Sequence, residues 1–188
     1  MKHPFDNFVI ETERLFLRPV LGDDYSDLII IHNNAKVMRF IGNGKHNWTV
    51  EEFDTEIKNH TKDYNEGYGF WTTVEKGSNK ICGKCGIIEH IKDGNIELEL
   101  GYLFGEEFWG RGYATEVSLA IVEYFFCKLG KKQLVAYTFL ENTNSIRVLE
   151  KNGMLKEYEF NVKGHQIVRF ALNRDTYFNQ LRWTLENT

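Results

Sequence analysis

Alternating apolar and polar positions predict seven β-strands along the chain. In the first strand, Leu15 and Leu17 lie on one face. Strands are predicted over residues 9–20, 69–76, 80–91, 96–104, 133–138, 155–162 and 166–172. Two neighbouring pairs face each other across the dipeptides Asp93-Gly94 and Lys163-Gly164. We expect both pairs to form hairpins, because such dipeptides adopt the tight turns that hairpins need.

Helical periodicity and capping signals predict helices between these strands. Thr49 and Glu52 have the spacing of a capping box, and Val117, Ile121 and Phe125 form one apolar stripe. Helices are predicted from the acidic pair Asp23-Asp24 to Asn33, over residues 36–40, from 50 to about 65, over 114–129, and from Asn142 to before Gly153. Since there is neither a linker nor a repeat, we expect one α+β domain with a mixed sheet over residues 1–188.

Composition and charge narrow the functional classes. Apolar residues make up 42% and aromatic residues 14% of the 188 residues, which is enough for one large core. A net charge of −4 argues against nucleic-acid binding, which usually needs a basic surface. No apolar run has the length of a membrane span, and the first residues lack the apolar stretch of a signal peptide. Three cysteines make a disulfide framework improbable, so we expect a cytoplasmic protein.

A glycine-containing segment, residues 109–115, precedes the predicted 114–129 helix. Gly110 and Gly112 allow backbone conformations that other residues avoid, and the start of the helix offers free N–H groups and the positive end of its dipole to an anion. Arg111 adds a charged donor. Taken alone, the segment fits an anion site and a plain strand-to-helix turn equally well.

This segment resembles the acyl-CoA pyrophosphate loop of the GNAT superfamily of N-acetyltransferases, whose motif is Gln/Arg-x-x-Gly-x-Gly/Ala. Trp109, Gly112 and Ala114 take the three motif positions, and Trp109 departs from the usual Gln or Arg. Further segments resemble the branch of ribosomal-protein alanine and serine N-acetyltransferases. These are residues 10–19, 99–103 and 142–154, in which Met154 replaces a usual Phe.

The resemblance implies a GNAT fold, with a central, mostly antiparallel seven-stranded sheet that is splayed between strands four and five and flanked by helices. Acetyl-CoA, the acyl donor, would lie in the gap, where backbone N–H groups can polarise the thioester carbonyl. The amine would attack the acetyl carbon directly, without a metal. The residues implied in cofactor binding are Tyr102, Leu103, Phe104, Trp109, Gly110, Arg111, Gly112, Tyr113, Ala114, Thr115, Asn142 and Ser145.

The resemblance also implies catalytic roles. Glu99 matches the carboxylate of the family's fourth strand and would be the general base, and Glu97, on the same strand face, is the second candidate. Judged without the resemblance, either Glu fits a solvated polar face. Leu149 stands where many relatives have a tyrosine acid. Ser145, on the first turn of the same helix, is then the expected proton donor to the leaving thiolate, and its alternative role is to cap the helix.

Cys82 and Cys85 have the C-x-x-C spacing of metal and redox sites. We expect them to pack in the third strand instead, because residues three apart in a strand point to opposite faces and no second ligand pair has zinc-like spacing. Cys127 is expected in the core. The six histidines are scattered and indicate no metal cluster.

The predicted function is acetyl transfer from acetyl-CoA to a primary amine, and the resemblance favours a protein N-terminus, ribosomal or other, as the acceptor. The alternative acceptor is a small molecule such as a polyamine or an aminoglycoside, contacted by the variable residues 39–49 and 160–165. A non-catalytic acyl-CoA sensor is a hypothesis of another class. We expect no nucleic-acid or membrane partner, and a monomer or homodimer.

Overall fold

The computed structural model of the chain describes residues 10–187, and residues 1–9 and 188 of the predicted domain lie outside the described part. The strands within it are β1 (Ile10–Glu11), β2 (Leu15–Arg18), β3 (Phe70–Glu75), β4 (Ile81–Lys92), β5 (Asn95–Phe104), β6 (Gln133–Phe139), β7 (Leu155–Val162) and β8 (His165–Asn173). They form one eight-stranded sheet in the order β1-β2-β3-β4-β5-β6-β8-β7. The helices are α1 (Tyr25–His32), α2 (Ala35–Met38), α3 (Val50–Thr61), α4 (Tyr113–Glu123), α5 (Thr143–Lys151) and α6 (Arg174–Glu186).

The sheet has eight strands where seven were predicted, because the first predicted strand divides. The Thr12 main chain and hydroxyl both bond to Leu15, which closes a turn, and Ile10 then pairs antiparallel with Leu17. Both predicted hairpins are confirmed. Their turn residues have positive φ, as two-residue hairpin turns require: 50° and 79° at Asp93-Gly94, and 51° and 88° at Lys163-Gly164.

Helices cover both faces of the sheet. On one face, Leu100 packs with Val117 of α4 and Leu149 of α5 in the large core. On the other face, Leu103 packs with Met38 of α2, and α1 and α3 complete this layer. Since successive strand residues point to opposite faces, β5 sends one set of side chains towards α4 and α5 and the other set towards α1–α3.

The sheet is splayed between β5 and β6, as predicted. All the other neighbouring strands of the described sheet are antiparallel, whereas β5 and β6 are parallel and share one registered pair, Glu99 with Val135. Beyond Glu99, β5 continues to Phe104 paired with β4 alone. The main chain at the end of β5 therefore has no registered partner on its β6 side.

The predicted helices are present with altered ends. Thr49 and Glu52 form the expected capping box at the start of α3, which ends at Thr61 rather than near residue 65. The predicted 114–129 helix is α4 followed by a π-helix, Tyr124–Lys128. The C-terminal helix α6 was not predicted, although Phe178, Leu181 and Leu185 have helical spacing; Tyr177 is its one buried residue.

Two of the three cysteines lie in the core. Cys82 and Cys85 both lie in the large core, not on opposite faces, because a register shift in the β3–β4 pairing alters the alternation. Burial raises the pKa of both thiols, to about 12 for Cys82. The expectation for Cys127 was wrong: the π-helix places Phe125 and Phe126 in the core and leaves Cys127 exposed.

Candidate active site

A cavity of about 320 Å³ lies where β5 and β6 separate. It receives side chains from both faces of the sheet, since Glu99 points towards α1–α3 and Tyr102 towards α5. Of the predicted site residues, the cavity brings together Glu99, Tyr102, Leu103, Asn142 and Ser145. Glu97, Phe104 and residues 109–115 do not line it.

Glu99 lies mostly buried in the cavity wall, with its side chain 18% exposed. Its Oε2 atom is 3.5 Å from Nδ1 of His90 on the neighbouring strand. Burial, with a smaller contribution from the charge of Glu97, raises the pKa of Glu99 to about 7. A carboxylate with a pKa near neutrality can take a proton from an amine at physiological pH.

Glu97 is held in an ion pair instead of facing the cavity. Its Oε1 atom is 2.5 Å from Nη2 of the buried Arg169, and the Tyr137 hydroxyl donates to its other oxygen. Burial opposes ionisation, but these two partners outweigh it and hold the pKa of Glu97 below its usual value. Glu97 is therefore a fixed negative charge beside Glu99.

Ser145 and Tyr102 form a hydroxyl pair at the opposite side of the cavity. The two side-chain oxygens are 2.8 Å apart, and the Tyr102 hydroxyl also donates to the Ser145 carbonyl at 3.2 Å. Asn142 caps α5 by accepting the Ser145 N–H at 3.2 Å, so the Ser145 hydroxyl is not used as the cap. Burial raises the pKa of Tyr102 to about 12. The sequence implied Tyr102 in cofactor binding, and the structure adds the contact of its phenol with Ser145.

The glycine segment turns sharply before α4. Gly110 and Gly112 have φ of +73° and +80°, values that favour glycine, and a Cβ at Gly110 would enter open space. Gly112 is the N-cap of α4, and no side chain caps the first turn. The Trp109 indole anchors the segment by donating to the Phe104 carbonyl at 2.8 Å. The first-turn N–H groups are thus presented as an anion site requires.

Arg14 supports this segment from β2's side of the sheet. It pairs with Glu116 of the first turn at 2.6 Å and donates to the Arg111 carbonyl at 2.9 Å. The ion pair compensates a carboxylate that would otherwise repel an anion at the start of α4. The Arg111 side chain lies 3.4 Å from Glu75.

Lys84 of β4 lines the cavity on the α1–α3 side and was not singled out from the sequence. It is 3% exposed, and its Nζ atom lies 2.8 Å from Nδ1 of His60. Burial lowers the pKa of Lys84 to about 8 and that of both His60 and His32 to about 3. At neutral pH the lysine is charged and the two imidazoles are neutral. Only the pairing of β4 with β5 reveals that a lysine of an apolar strand faces this cavity.

Within residues 10–187, no three His, Cys, Asp or Glu side chains are grouped so that they could hold a metal ion. None of the helices in the same residues has the length and apolarity needed to cross a membrane.

Of the two loops predicted to face substrate, residues 39–49 contribute Phe40, Ile41 and Gly42 to the cavity wall, whereas residues 160–165 contribute none.

Comparison with known proteins identifies the family. The acetyltransferase (GNAT) domain model matches residues 14–155. The uncharacterized protein YkkB of Bacillus subtilis is 30% identical over 144 residues, which are 76% of this chain and 83% of YkkB. Two solved structures share the fold at 18% identity. The first is the spermidine N-acetyltransferase of Vibrio cholerae in complex with CoA and spermine, with a TM-score of 0.73 over 88% of this chain and 99% of that one. The second is the ribosomal L7/L12 alpha-N-protein acetyltransferase RimL in complex with coenzyme A, with a TM-score of 0.76 over 89% of this chain and 99% of that one. The chain therefore belongs to the GNAT family and is an acetyl-CoA-dependent N-acetyltransferase.

Proposed function

We propose that this enzyme acetylates an α-amine, as the ribosomal-protein branch does, by direct attack of the amine on acetyl-CoA in a ternary complex. The main support for this proposal is that one cavity contains both a proton acceptor and a proton donor. The Glu99 carboxylate and the Tyr102–Ser145 hydroxyl pair enter it from opposite faces of the sheet. The acceptor reaches Glu99 from the α1–α3 side, and the thioester lies towards α5.

Glu99 is the proposed general base. An α-amine has a pKa of about 7.7–8, so about a tenth of it is neutral at pH 7, and a carboxylate with a pKa of about 7 is well matched to take the remaining proton. A lysine-type amine, with a pKa near 10.4, is far more costly to deprotonate. The pKa of Glu99 therefore suits an α-amine better than a side-chain amine. Glu97 contributes its charge and not its own basicity.

Ser145 is the proposed proton donor to the departing sulfur. When the amine nitrogen bonds to the acetyl carbon, the C–S bond breaks and the thiolate needs a proton. The Ser145 hydroxyl supplies it. The Tyr102 hydroxyl, 2.8 Å away, replaces that proton when its O–H turns from the Ser145 carbonyl to Ser145 Oγ. A phenol on β5 thus stands in for the tyrosine that Leu149 replaces on α5.

The donor is held mainly by main-chain groups in this proposal. The pyrophosphate binds the N–H groups of residues 109–115 at the start of α4, with Arg111 beside it. The pantetheine arm pairs with the main chain of Tyr102, Leu103 and Phe104, which lacks a registered partner on β6. Asn142 fixes the turn of α5 against this arm.

The acceptor side favours an α-amine over a polyamine. Lys84 places a buried positive charge in the cavity wall, and a second ammonium of a polyamine would be repelled by it. A small monoamine remains the alternative acceptor, because about 320 Å³ lies within the size of small-ligand pockets. The position of Glu99 in the same cavity as Ser145 supports an enzyme over an acyl-CoA sensor.

The test is release of CoA thiol from acetyl-CoA with three acceptor classes: peptides with free N-termini, spermidine and an aminoglycoside. We expect turnover with peptides and little with spermidine. Preferred turnover of either small-molecule class would contradict the α-amine assignment. Tight acetyl-CoA binding without turnover of any amine would establish the sensor hypothesis instead.

A further inference from the structure

We propose that Lys84 binds a carboxylate of the acceptor, so that the preferred acceptor is a primary amine that also carries an acidic group. This inference rests on the proposed acetylation of an amine beside Glu99 and extends it to substrate selection. Lys84 is buried in the wall of a substrate-sized cavity, and lysines are rarely buried for structural reasons alone.

The Lys84 ammonium lies on the acceptor side of the sheet. Lys84 pairs with Leu103 across β4 and β5, while Ile88, four residues along β4, pairs with Glu99. Paired residues and residues two apart share a face, so Lys84 and Glu99 point to the same side. Four residues of strand separate their main chains by roughly 13 Å, a distance that the two side chains reduce.

An aromatic ring lies between the two charges. The Lys84 Nζ atom is 5.1 Å from the centre of the Phe70 ring. The same ring covers Gly101, since a Cβ there would come within 2.5 Å of Phe70 Cζ. Gly101 is two residues from Glu99, so the Phe70 ring lies over the strand between the positions of Lys84 and Glu99. An acceptor that spans the two charges would lie along Phe70.

Lys84 has no carboxylate within hydrogen-bond distance among residues 10–187. Its one polar contact is with His60 Nδ1. The Glu56 carboxylate, which also lines the cavity, lies behind that ring, with Oε1 3.3 Å from His60 Nε2, and attracts Lys84 only through space. His60 and the nearby His32 are neutral, so neither balances the charge. Two of the three N–H groups of Lys84 therefore have no acceptor within the described part of the chain.

A buried and incompletely paired ammonium destabilises a fold, and an apolar residue of similar length would fill this position at lower cost. A carboxylate bound in the cavity would supply both the countercharge and the missing acceptors. Glu99 and Lys84 would then hold opposite ends of one acceptor, the amine and the acid. The carboxylate could belong to a free amino acid or to an acidic residue at a peptide N-terminus, and matched acceptors distinguish these sources.

The first test compares each acid with its amide. The acceptors are C-terminally amidated peptides that begin Glu-Ala or Gln-Ala, a second pair that begins Ala-Glu or Ala-Gln, and free L-glutamate against L-glutamine. In at least one pair we expect kcat/KM for the acid to exceed that for the amide by about tenfold to a hundredfold. The pair with the larger ratio identifies the source of the carboxylate. Equal use of acid and amide in all three pairs would overturn the inference while leaving amine acetylation intact.

The second test removes the charge. Lys84→Met should bring the acid-to-amide ratio to about one, mainly by raising KM for the acid, and Lys84→Arg should keep part of the preference. The matched control is Lys62→Met, which removes an exposed lysine beside Asp63 and Glu89 that does not line the cavity. A preference that survives in Lys84→Met, or that is lost equally in the control, would contradict the assignment to Lys84.

A binding measurement separates this inference from the proposed function. The N-acetylated form of the favoured acid should raise the melting temperature of the CoA complex, the acetylated amide should not, and Lys84→Met should lose the shift. If no amine is turned over but this shift is found, acetylation fails and the carboxylate site stands. If amines are turned over and neither acetylated compound shifts the melting temperature, the carboxylate site fails.

Discussion

The proposed donor and acceptor sites would recognise their ligands by different means. On the side of α4 and α5, the proposed donor site consists of main-chain N–H groups, a glycine turn outside the cavity and the free edge of β5. On the side of α1–α3, the proposed acceptor site consists of side chains such as Lys84, His60 and Glu99, which come from separate elements. A site made of main-chain groups tolerates many changes of side chain, such as Trp109 in place of the usual Gln or Arg of the motif. A side-chain site can change its ligand by one substitution.

The largest effect is expected at the acceptor side, from Glu99→Gln. The loss of the base should lower kcat/KM by about 10²–10⁴-fold at pH 7, and the loss should shrink towards pH 9.5 as the free amine accumulates. In the wild-type enzyme the rate should rise through pH 7 as Glu99 ionises, and this inflection should be absent from the variant. A defect of constant size from pH 7 to 9.5 would indicate a role in binding or structure.

A second variant tests how far the charge of Glu97 raises the pKa of Glu99. Glu97→Gln removes the like charge that helps to raise the pKa of Glu99, so the inflection should move below pH 7 in an enzyme that still turns over. An unchanged inflection would mean that burial alone sets the pKa of Glu99.

The donor side is tested by Gly112→Asp. Acetyl-CoA at about 100 times its dissociation constant stabilises a protein by about 2.7 kcal/mol, and this variant should lose the corresponding rise in melting temperature, because its carboxylate opposes the pyrophosphate. Gly112→Asn shares the backbone strain at φ +80° without the charge and should keep more of the shift. Gly22→Asp adds the same charge in open space and should behave as wild type. An unchanged shift in folded Gly112→Asp would refute the assigned pyrophosphate site.

A smaller effect is expected at the hydroxyl pair. Ser145→Ala should slow the chemical step by about a hundredfold and Tyr102→Phe by about tenfold, each with little change in acetyl-CoA affinity. A thioester whose leaving thiol is more acidic needs less protonation, so it should restore part of the rate. Normal turnover by Ser145→Ala would leave that hydroxyl with no part in catalysis.

The smallest effect is expected in the core between the two sides. Cys82→Ala and Cys85→Ala should keep their activity under reducing conditions and lose about 1–2 kcal/mol of stability through packing, with the Cys85 variant also losing the contact with Thr73. Urea denaturation measures the stability. Stoichiometric zinc in the purified protein, lost from either variant, would contradict a purely structural role.

Local signals predicted most of the elements and half of the site. The turn dipeptides, the capping box at Thr49 and the strand alternation depend on neighbours a few residues apart, so the sequence determined them directly. The division of the first strand depends on how Thr12 bonds, and α6 depends on contacts of Tyr177 with the rest of the fold. The bonding of Thr12 has no local pattern that would have revealed it, whereas the helical spacing of Phe178, Leu181 and Leu185 in α6 was overlooked.

The turn before α4 could be predicted because it depends on consecutive residues. Gly110 and Gly112 determine its backbone shape, and that shape forms the proposed pyrophosphate site. The acceptor side could not be predicted from the sequence, because Lys84, His60 and Glu99 lie up to 39 positions apart. These residues meet only through the pairing of β4 with β5 and the packing of α3. Burial, which the sequence does not state, then sets the pKa of Glu99 near 7 and leaves Lys84 without a carboxylate in hydrogen-bond distance. By itself the sequence determined the family and the acyl donor, whereas the tertiary structure decided the charges that face the acceptor.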